Sequence, residues 1–439
     1  MTPAKIVEKG MFLVKNFYLM PEIVPTLKGY NKEQLLRDLI AGIIVAIIAL
    51  PLSIALALAS GVKPECGVYT AIAAGFVVSL FGGSRIQIAG PTAAFATVVA
   101  GIVATQGMEG LFIATVLAGL LLIIMGVCKL GSFIRFMPHP ITVGFTGGIA
   151  VTILLGQMKD FFGLTYTEGL RPVETLEKVE ANLEYINTFS WQSVVIGALS
   201  LVVLIIYPKL ERRVPPSLVA VVVSALLVAL VPIFSENVYT IGELYTIPKG
   251  LPRIDFASMN FSGEKLLAVL PNAVTIAILA AIESLLSCVV SDNLIGSKHN
   301  SNTELVAQGL GNIASVMFGG IPATGAIART SANAKNGGKT PVAGMVHAVV
   351  LLLVLLFLMP CAALIPMPTI AAILFMVAYN MSEWRGFVKI VKQKNAVDIL
   401  LLFVTFVLTV IFDLVVAIAV GVALKILWVL VSKLFKKTV

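Results

Sequence analysis

The sequence predicts an all-α polytopic membrane protein with 14 membrane segments, arranged as two inverted sets of seven. Three observations carry that expectation. Of 439 residues, 58% are apolar and only 12% are charged, against roughly 25% charged in an ordinary soluble domain. Apolar segments approaching bilayer length recur along the whole chain. A short motif that closes the second segment returns at the close of the ninth. So few charges leave no soluble surface to cover so large an apolar content, which excludes a single soluble enzyme and intrinsic disorder. Lipid is the solvent that remains.

Residues 1–37 are charged and aromatic without a cleavable apolar stretch, and read as a cytoplasmic N-terminal segment. The first set of segments lies at 39–58, 66–82, 86–104, 111–128, 141–158, 191–207 and 217–234, within a repeat spanning 38–234. An extracytoplasmic loop follows at 235–266. The second set lies at 268–290, 304–318, 321–334, 342–359, 367–381, 396–411 and 414–432, within 267–432, and 433–439 is a cytoplasmic tail. Segment 321–334 is too short for a straight spanning helix, so it is expected to be broken, tilted or shielded by protein.

The formal charge is +8. Sorting loops by side leaves only seven of the 31 Lys and Arg opposite the termini. By the positive-inside rule both termini are cytoplasmic in a multi-pass cell-membrane (inner-membrane) protein, and the charge reports orientation rather than nucleic-acid binding. The acidic loop 159–190, with Asp160, Glu168, Glu174, Glu177, Glu180 and Glu184, faces outward. Cys66, Cys128, Cys288 and Cys361 have no ligand-like spacing and read as small buried hydrophobes.

Ser79-Leu80-Phe81-Gly82-Gly83 ends segment two, and Val316-Met317-Phe318-Gly319-Gly320 ends segment nine. Each leads into a Pro/Gly/Thr-rich stretch, Gly90-Pro91-Thr92-Ala93-Ala94 in one half and Pro322-Ala323-Thr324-Gly325-Ala326 in the other. Seven spans per copy make the copies run oppositely through the membrane, and paired interruptions of this kind point to a transporter's binding site. Each segment is expected to begin as extended chain and turn into a half-helix, because Pro lacks an amide donor and Gly tolerates unusual dihedrals. The helix N-termini then offer free N–H groups and positive dipole ends to an anion, with Thr92, Ala93, Thr324, Gly325 and Ala326 lining the site. Thr97 and Thr330 add hydroxyls. The competing reading is a pair of kinked helices that use small residues for close packing.

Glu283, in Ala281-Ile282-Glu283-Ser284-Leu285-Leu286-Ser287, stands out as a carboxylate deep inside an apolar run. An intramembrane ionisable residue is a functional hypothesis by default. It is read as the coupling position, carrying a proton or, with Ser287 and further oxygens, Na+; the proton is preferred, and a structural carboxylate is the alternative. Arg329 follows the second interruption and either draws an anion toward the site, balances a carboxylate, snorkels to water, or pairs structurally. Asp413 reads as a helix N-cap, Arg85 as interfacial, His139 as loop and His347 as a packed histidine. Asn333-Ala334-Lys335-Asn336-Gly337-Gly338-Lys339-Thr340 lacks the first Gly of a P-loop. No nucleophile elbow and no metal-ligand cluster is present, so neither an enzyme nor a cofactor or metal is expected.

These motifs, with Asp38-Leu39-Ile40-Ala41-Gly42, Ala49-Leu50-Pro51-Leu52-Ser53 and Gly319-Gly320-Ile321-Pro322-Ala323-Thr324-Gly325-Ala326-Ile327-Ala328-Arg329-Thr330, resemble the SulP anion-permease family, the bacterial relatives of the SLC26 transporters. The resemblance implies a core of segments 1–4 and 8–11, a gate of segments 5–7 and 12–14, and an anion bound between the half-helices of segments three and ten. It implies Thr92 and Ala93 at one half-helix, Gly325 and Ala326 at the other, Glu283 as the acidic coupling position, and elevator-like movement of core against gate. Most members continue into a cytoplasmic STAS domain; here the sequence ends after Lys433-Leu434-Phe435-Lys436-Lys437, so that domain is expected to be absent, either as a natural short form or through truncation. Dimerisation through the gate stays open. The expected function is secondary active transport of a small anion, sulfate first, with bicarbonate or a dicarboxylate next, by proton symport. The alternatives are Na+-coupled bicarbonate symport, or a passive exchanger or channel.

Overall fold

The structure is a computed structural model that describes residues 19–132, 138–167, 170, 172–211, 214–246, 262–412, 416–417, 420–425 and 427–428. Its main elements are α1 (Lys32–Ala59), α2 (Pro64–Phe81), β1 (Ala89–Gly90), α3 (Ala93–Val127), α4 (His139–Phe162), α5 (Thr175–Glu184), α6 (Trp191–Leu210) and α7 (Pro216–Leu230). They continue with α8 (Gly263–Ile295), α9 (Ser301–Met317), β2 (Thr324–Gly325), α10 (Ile327–Lys335), α11 (Pro341–Phe357), α12 (Met367–Met381), α13 (Trp384–Lys392) and α14 (Ala396–Ile411). Among the described residues six helices, α1 to α4, α6 and α8, are long and apolar enough to cross a bilayer, and α7, α11 and α14 are shorter apolar helices.

Local chemistry sets where these helices begin. Asn31 accepts the Gln34 amide ahead of α1, and Asn300 accepts those of Asn302 and Thr303 ahead of α9. Proline occupies the first turn of α2, α4, α7, α11 and α12, where its missing N–H costs nothing. Asp38 is buried one turn and a half into α1, where it accepts from the Tyr30 hydroxyl, the Lys339 amide and the Thr340 hydroxyl, joining the chain's start to the head of α11. Burial, then Asp38, pushes the Tyr30 phenol up to about 12, so it remains a donor.

The helices pack as two groups. In one, α3 lies against α8 and α9, α9 against α2, and α11 against α1 and α2. In the other, α4 packs with α12 and α14, and α6 with α7 and α12. They meet where α1 runs beside α7 and α12, and where α3 passes α4. Ile54, Val68, Phe95, Leu111, Ile276, Leu285 and Leu305 belong to the principal apolar core. Outward-facing Leu120, Val202, Leu226, Leu353 and Phe403 are exposed, as lipid-facing positions require.

Segments three and four are two helices within Ala93–Val127, separated at Gly107, whose φ of 70° and ψ of −175° interrupt the helical path. Segment ten is broken, as its shortness predicts: 321–326 is extended or turned chain, and only Ile327–Lys335 is helical. Other expectations need correction. His139 opens α4 rather than lying in a loop. Cys128 and Cys361 are exposed and only Cys66 and Cys288 buried, because the former pair sits at helix ends that face outward. The basic stretch after segment twelve is the amphipathic helix α13, not a plain loop, with Ile390 turned inward and Arg385, Lys389 and Lys392 outward. Asp413, residues 1–18, Arg135, Glu168, Arg212, Arg213, nine of the nineteen residues of the fourteenth expected segment and the tail 433–439 lie outside the described residues.

Close approach of α3 and α9 depends on Gly119 and Gly309: a Cβ on Gly309 would stand 2.4 Å from the Gly119 carbonyl oxygen. Gly309→Val is therefore expected to destabilise the protein by about 1–3 kcal/mol, seen as a lower melting temperature of the purified protein in detergent. Gly101→Ala, where a Cβ meets nothing within 4 Å, should leave that temperature unchanged or raise it.

Candidate functional site

The two interrupted stretches meet. β1 and β2 pair antiparallel, with Ala89 opposite Gly325 and Gly90 opposite Thr324. The Ala326 amide adds a further bond by donating to the Ile88 carbonyl at 2.8 Å. Past this ladder each chain turns into helix, α3 after its N-cap Thr92 and α10 after Ala326. Neither N-cap side chain closes its helix. Ala326 has no oxygen to offer, and the Thr92 hydroxyl is turned away to donate to Glu283 Oε2 at 2.8 Å. Side chains thus leave the first-turn amides of both helices uncapped, and a helix N-terminus in that state attracts an anion through its N–H groups and its dipole.

Two adjacent residues of α8 touch both stretches. Glu283 holds Thr92 of the first. Ser284 lies 2.7 Å from the Thr324 hydroxyl of the second, and accepts the Gly325 amide at 3.0 Å. Glu283 and Thr92 are half-buried, whereas Ser284, Thr324 and Gly325 are buried, so the Glu283–Thr92 pair is the more exposed of the two contacts. Ala93 and Ala326 are buried beside the helix starts and Thr97 is half-buried. Ser287 and Thr330 face one another at 3.4 Å instead of joining Glu283, and Thr330 also accepts the Ile88 amide at 3.1 Å.

Extended chain at membrane depth needs partners for every amide and carbonyl. Here side chains supply them. Asn312 grips Ala323 from both sides, accepting its amide at 2.9 Å and donating to its carbonyl at 2.8 Å, as a neighbouring strand would. Thr70 accepts the Ile321 amide at 2.7 Å, and Ser315 donates to the Ile321 carbonyl at 2.6 Å. On the first stretch, Asn333 donates to the Ile86 carbonyl at 3.0 Å, and Glu304 Oε2 accepts the Gly83 amide at 3.0 Å.

Glu304 is a buried carboxylate that the sequence reading passed over. It heads segment nine, where an acidic residue in a first helical turn looks like ordinary dipole compensation. In the fold it also accepts from Gln308 at 2.8 Å and from Gln87 at 2.8 Å. Gln87 donates in addition to the Ser284 carbonyl, and its own oxygen faces the Cys288 thiol. Its carboxamide fills the place where a side chain on Gly325 would project, 2.2 Å from a built Cβ.

Arg329 neither snorkels nor balances a carboxylate. It is fully buried behind β1, where Nη2 donates to the Ser53 hydroxyl at 3.1 Å and weakly to the Pro91 carbonyl at 3.4 Å. Nε and Nη1 have no hydrogen-bond partner among the described residues, and no acidic side chain pairs with it there. His347 is buried nearby against α2, as a packed histidine. Arg85 is exposed and pairs with Glu22 at 2.7 Å. No cluster of metal-ligating side chains occurs among the described residues.

Comparison with known proteins agrees with the fold. The sulfate permease family model matches residues 35–405. The putative sulfate transporter YvdB of Bacillus subtilis is 45% identical over 402 residues, covering 90% of this chain and 74% of the relative. The bicarbonate transporter BicA of Picosynechococcus is 32% identical over 396 residues, covering 88% of this chain and 68% of BicA. Among solved structures, the transmembrane domain of a cyanobacterial BicA aligns with a TM-score of 0.78 at 30% identity, over 89% of this chain and 98% of that one. SLC26A9 aligns at 0.85 with 19% identity, over 97% and 70%, which speaks to fold alone. The chain belongs to the sulfate permease family, a family of membrane transporters rather than enzymes.

Removing the clamp on Ala323 should be costly. Asn312→Ala leaves a buried amide and a buried carbonyl without partners, at about 1–3 kcal/mol each. The expected outcome is a clear fall in melting temperature. Asn312→Asp keeps the acceptor but sets an oxygen against the Ala323 and Gln308 carbonyls, and should lower the melting temperature at least as much.

Proposed function

We propose that this sulfate permease family member is a secondary active transporter of a small anion, coupled to protons, with sulfate as the first substrate and bicarbonate or a dicarboxylate next. The observation that carries the reading is the contact of one helix with both broken segments: Glu283 with Thr92, Ser284 with Thr324 and Gly325. An anion at the uncapped N-termini of α3 and α10 would be bound by Thr92, Ala93, Thr324, Gly325 and Ala326. Relatives named as sulfate and bicarbonate transporters support the substrate class. Arg329, buried without an acid, would add a fixed positive charge behind the strands.

The same reading takes the chain as 14 segments in two inverted repeats, 38–234 and 267–432, in the cell membrane with both termini cytoplasmic. The group containing α1 to α3 and α8 to α11 would carry the site past the group containing α4, α6, α7, α12 and α14 in an elevator step. Proton rather than Na+ coupling is supported by the oxygen count around Glu283. Thr92 is its hydrogen-bond partner, while Ser287 is turned to Thr330, leaving too sparse a shell for a cation that takes several oxygen ligands.

If a proton enters with the anion, lowering the pH on the uptake side raises uptake, and lowering it on the opposite side depresses net uptake. Glu283→Gln should abolish proton-driven accumulation in proteoliposomes while exchange of labelled anion persists in part. Sulfate, bicarbonate, fumarate and chloride, each tested at two pH values with and without Na+, identify substrate and coupling ion. Undiminished accumulation by the variant would remove Glu283 from the coupling role.

A further inference from the structure

A hydroxyl carries one hydrogen and two lone pairs, and Thr92 spends its hydrogen on Glu283 Oε2 at 2.8 Å. An ionised carboxylate accepts only, so with Glu283 charged the bond has one direction and the Thr92 hydrogen is unavailable to anything else. A protonated carboxyl reverses it: the Glu283 O–H donates to Thr92 Oγ1, at the same separation and with no backbone movement. The Thr92 hydrogen is then free. Thr92 is the N-cap of α3, its side chain not closing the helix, so the freed hydrogen sits beside the first-turn amides.

Building on the transport reading, we infer that Thr92 is a proton-controlled donor, committed to Glu283 while that carboxylate is ionised and released to the transported anion once Glu283 takes up a proton. Protonation then acts twice in one direction, removing a negative charge from the site and adding a hydroxyl donor to it. Proton and anion bind cooperatively, as symport requires. Ala326 at the matching place on α10 has no hydroxyl, so the second half-site has no such switch.

None of the other charged or titratable groups on the elements around Glu283 bonds it among the described residues. Arg329 of α10 is held at Ser53 and Pro91, and Glu304 of α9 by Gly83, Gln87 and Gln308. Cys288, on α8 itself, donates to Gln87. Glu109 of α3 pairs with Lys265 near the start of α8, and Asp292 near its end pairs with His299. Lys335 closes α10 two turns beyond Ile327.

The test is sulfate binding, with bicarbonate as second probe, by the purified full chain at acidic and alkaline pH. A charge-assisted hydrogen bond is worth about 1.5–3 kcal/mol, so wild-type affinity should tighten about tenfold or more on acidification. Thr92→Val keeps the side chain's shape without its hydroxyl and should reduce that ratio to about threefold or less, by losing the tight state. Thr92→Ser should restore the ratio. Infrared difference spectra supply a second readout: the protonated carboxyl band, identified by its loss in Glu283→Gln, should move to higher frequency in Thr92→Val, where its acceptor is gone. An unchanged pH ratio in folded Thr92→Val, or an unmoved band, overturns the inference while leaving the transport reading intact. Failure of the wild-type chain to bind either probe at either pH overturns the transport site itself, and this inference with it.

Discussion

Two stretches of chain leave helical geometry inside a protein that lipid surrounds, and their backbone polar groups have no water to fall back on. That constraint organises the interior. Each stretch needs donors and acceptors arranged as a strand would present them, and two rungs of ladder between Ala89–Gly90 and Thr324–Gly325 supply only part. Asn312, Thr70, Ser315, Thr330, Asn333 and Glu304 supply more from side chains on three helices. Around the two stretches, these buried polar side chains are those that complete the backbone. Their burial obliges α2, α9 and α10 to stay at fixed distances from the strands, so these helices and the site move, if at all, as one body.

A rigid interior of this kind leaves few groups free to change. Glu304 is tied by three N–H donors, and Arg329 is wedged behind β1 against Ser53. Glu283 differs because it holds a single hydroxyl and is half-buried where its neighbours are buried. In the proposed cycle, a group that exchanges protons with bulk water while its surroundings keep their shape would have to be placed in this way. An arginine stays charged whatever the protonation state of Glu283, and in the proposed cycle that constancy would suit a group that attracts an anion rather than one that senses a proton.

Much of this was legible in the sequence because the relevant signals are local. Low charge content betrays lipid, Gly90-Pro91 and Pro322 to Gly325 betray broken helix, and a carboxylate in an apolar run draws attention to Glu283. What stayed hidden depends on partners distant in sequence. Glu304 reads as a first-turn acid until Gln87 and Gly83 arrive from more than 200 residues away. Asn312 reads as a polar interruption of an apolar helix until Ala323 folds back on it. The α13 helix was masked by its basic residues, which announce sidedness more loudly than periodicity, and Cys128 and Cys361 by an apolar setting that lipid, not protein, provides. The strand register between Ala89 and Gly325 has no sequence signal at all, since two small residues at each position specify space and not pairing.

The two halves of the site are similar in backbone and unlike in side chain, and the difference is functional in the proposed cycle. Backbone amides and helix dipoles recognise negative charge without distinguishing one small anion from another. An Ala N-cap on α10 therefore gives a surface whose properties do not alter with pH. A Thr N-cap on α3 would ordinarily do what threonine does at helix starts, bonding its own second or third amide and closing the end to ligands. Glu283 prevents that by drawing the hydroxyl away. In the proposed cycle the carboxylate keeps the α3 terminus open in its charged form and would surrender the hydroxyl in its neutral form. The same contact would then account both for an uncapped helix start and for its sensitivity to a proton.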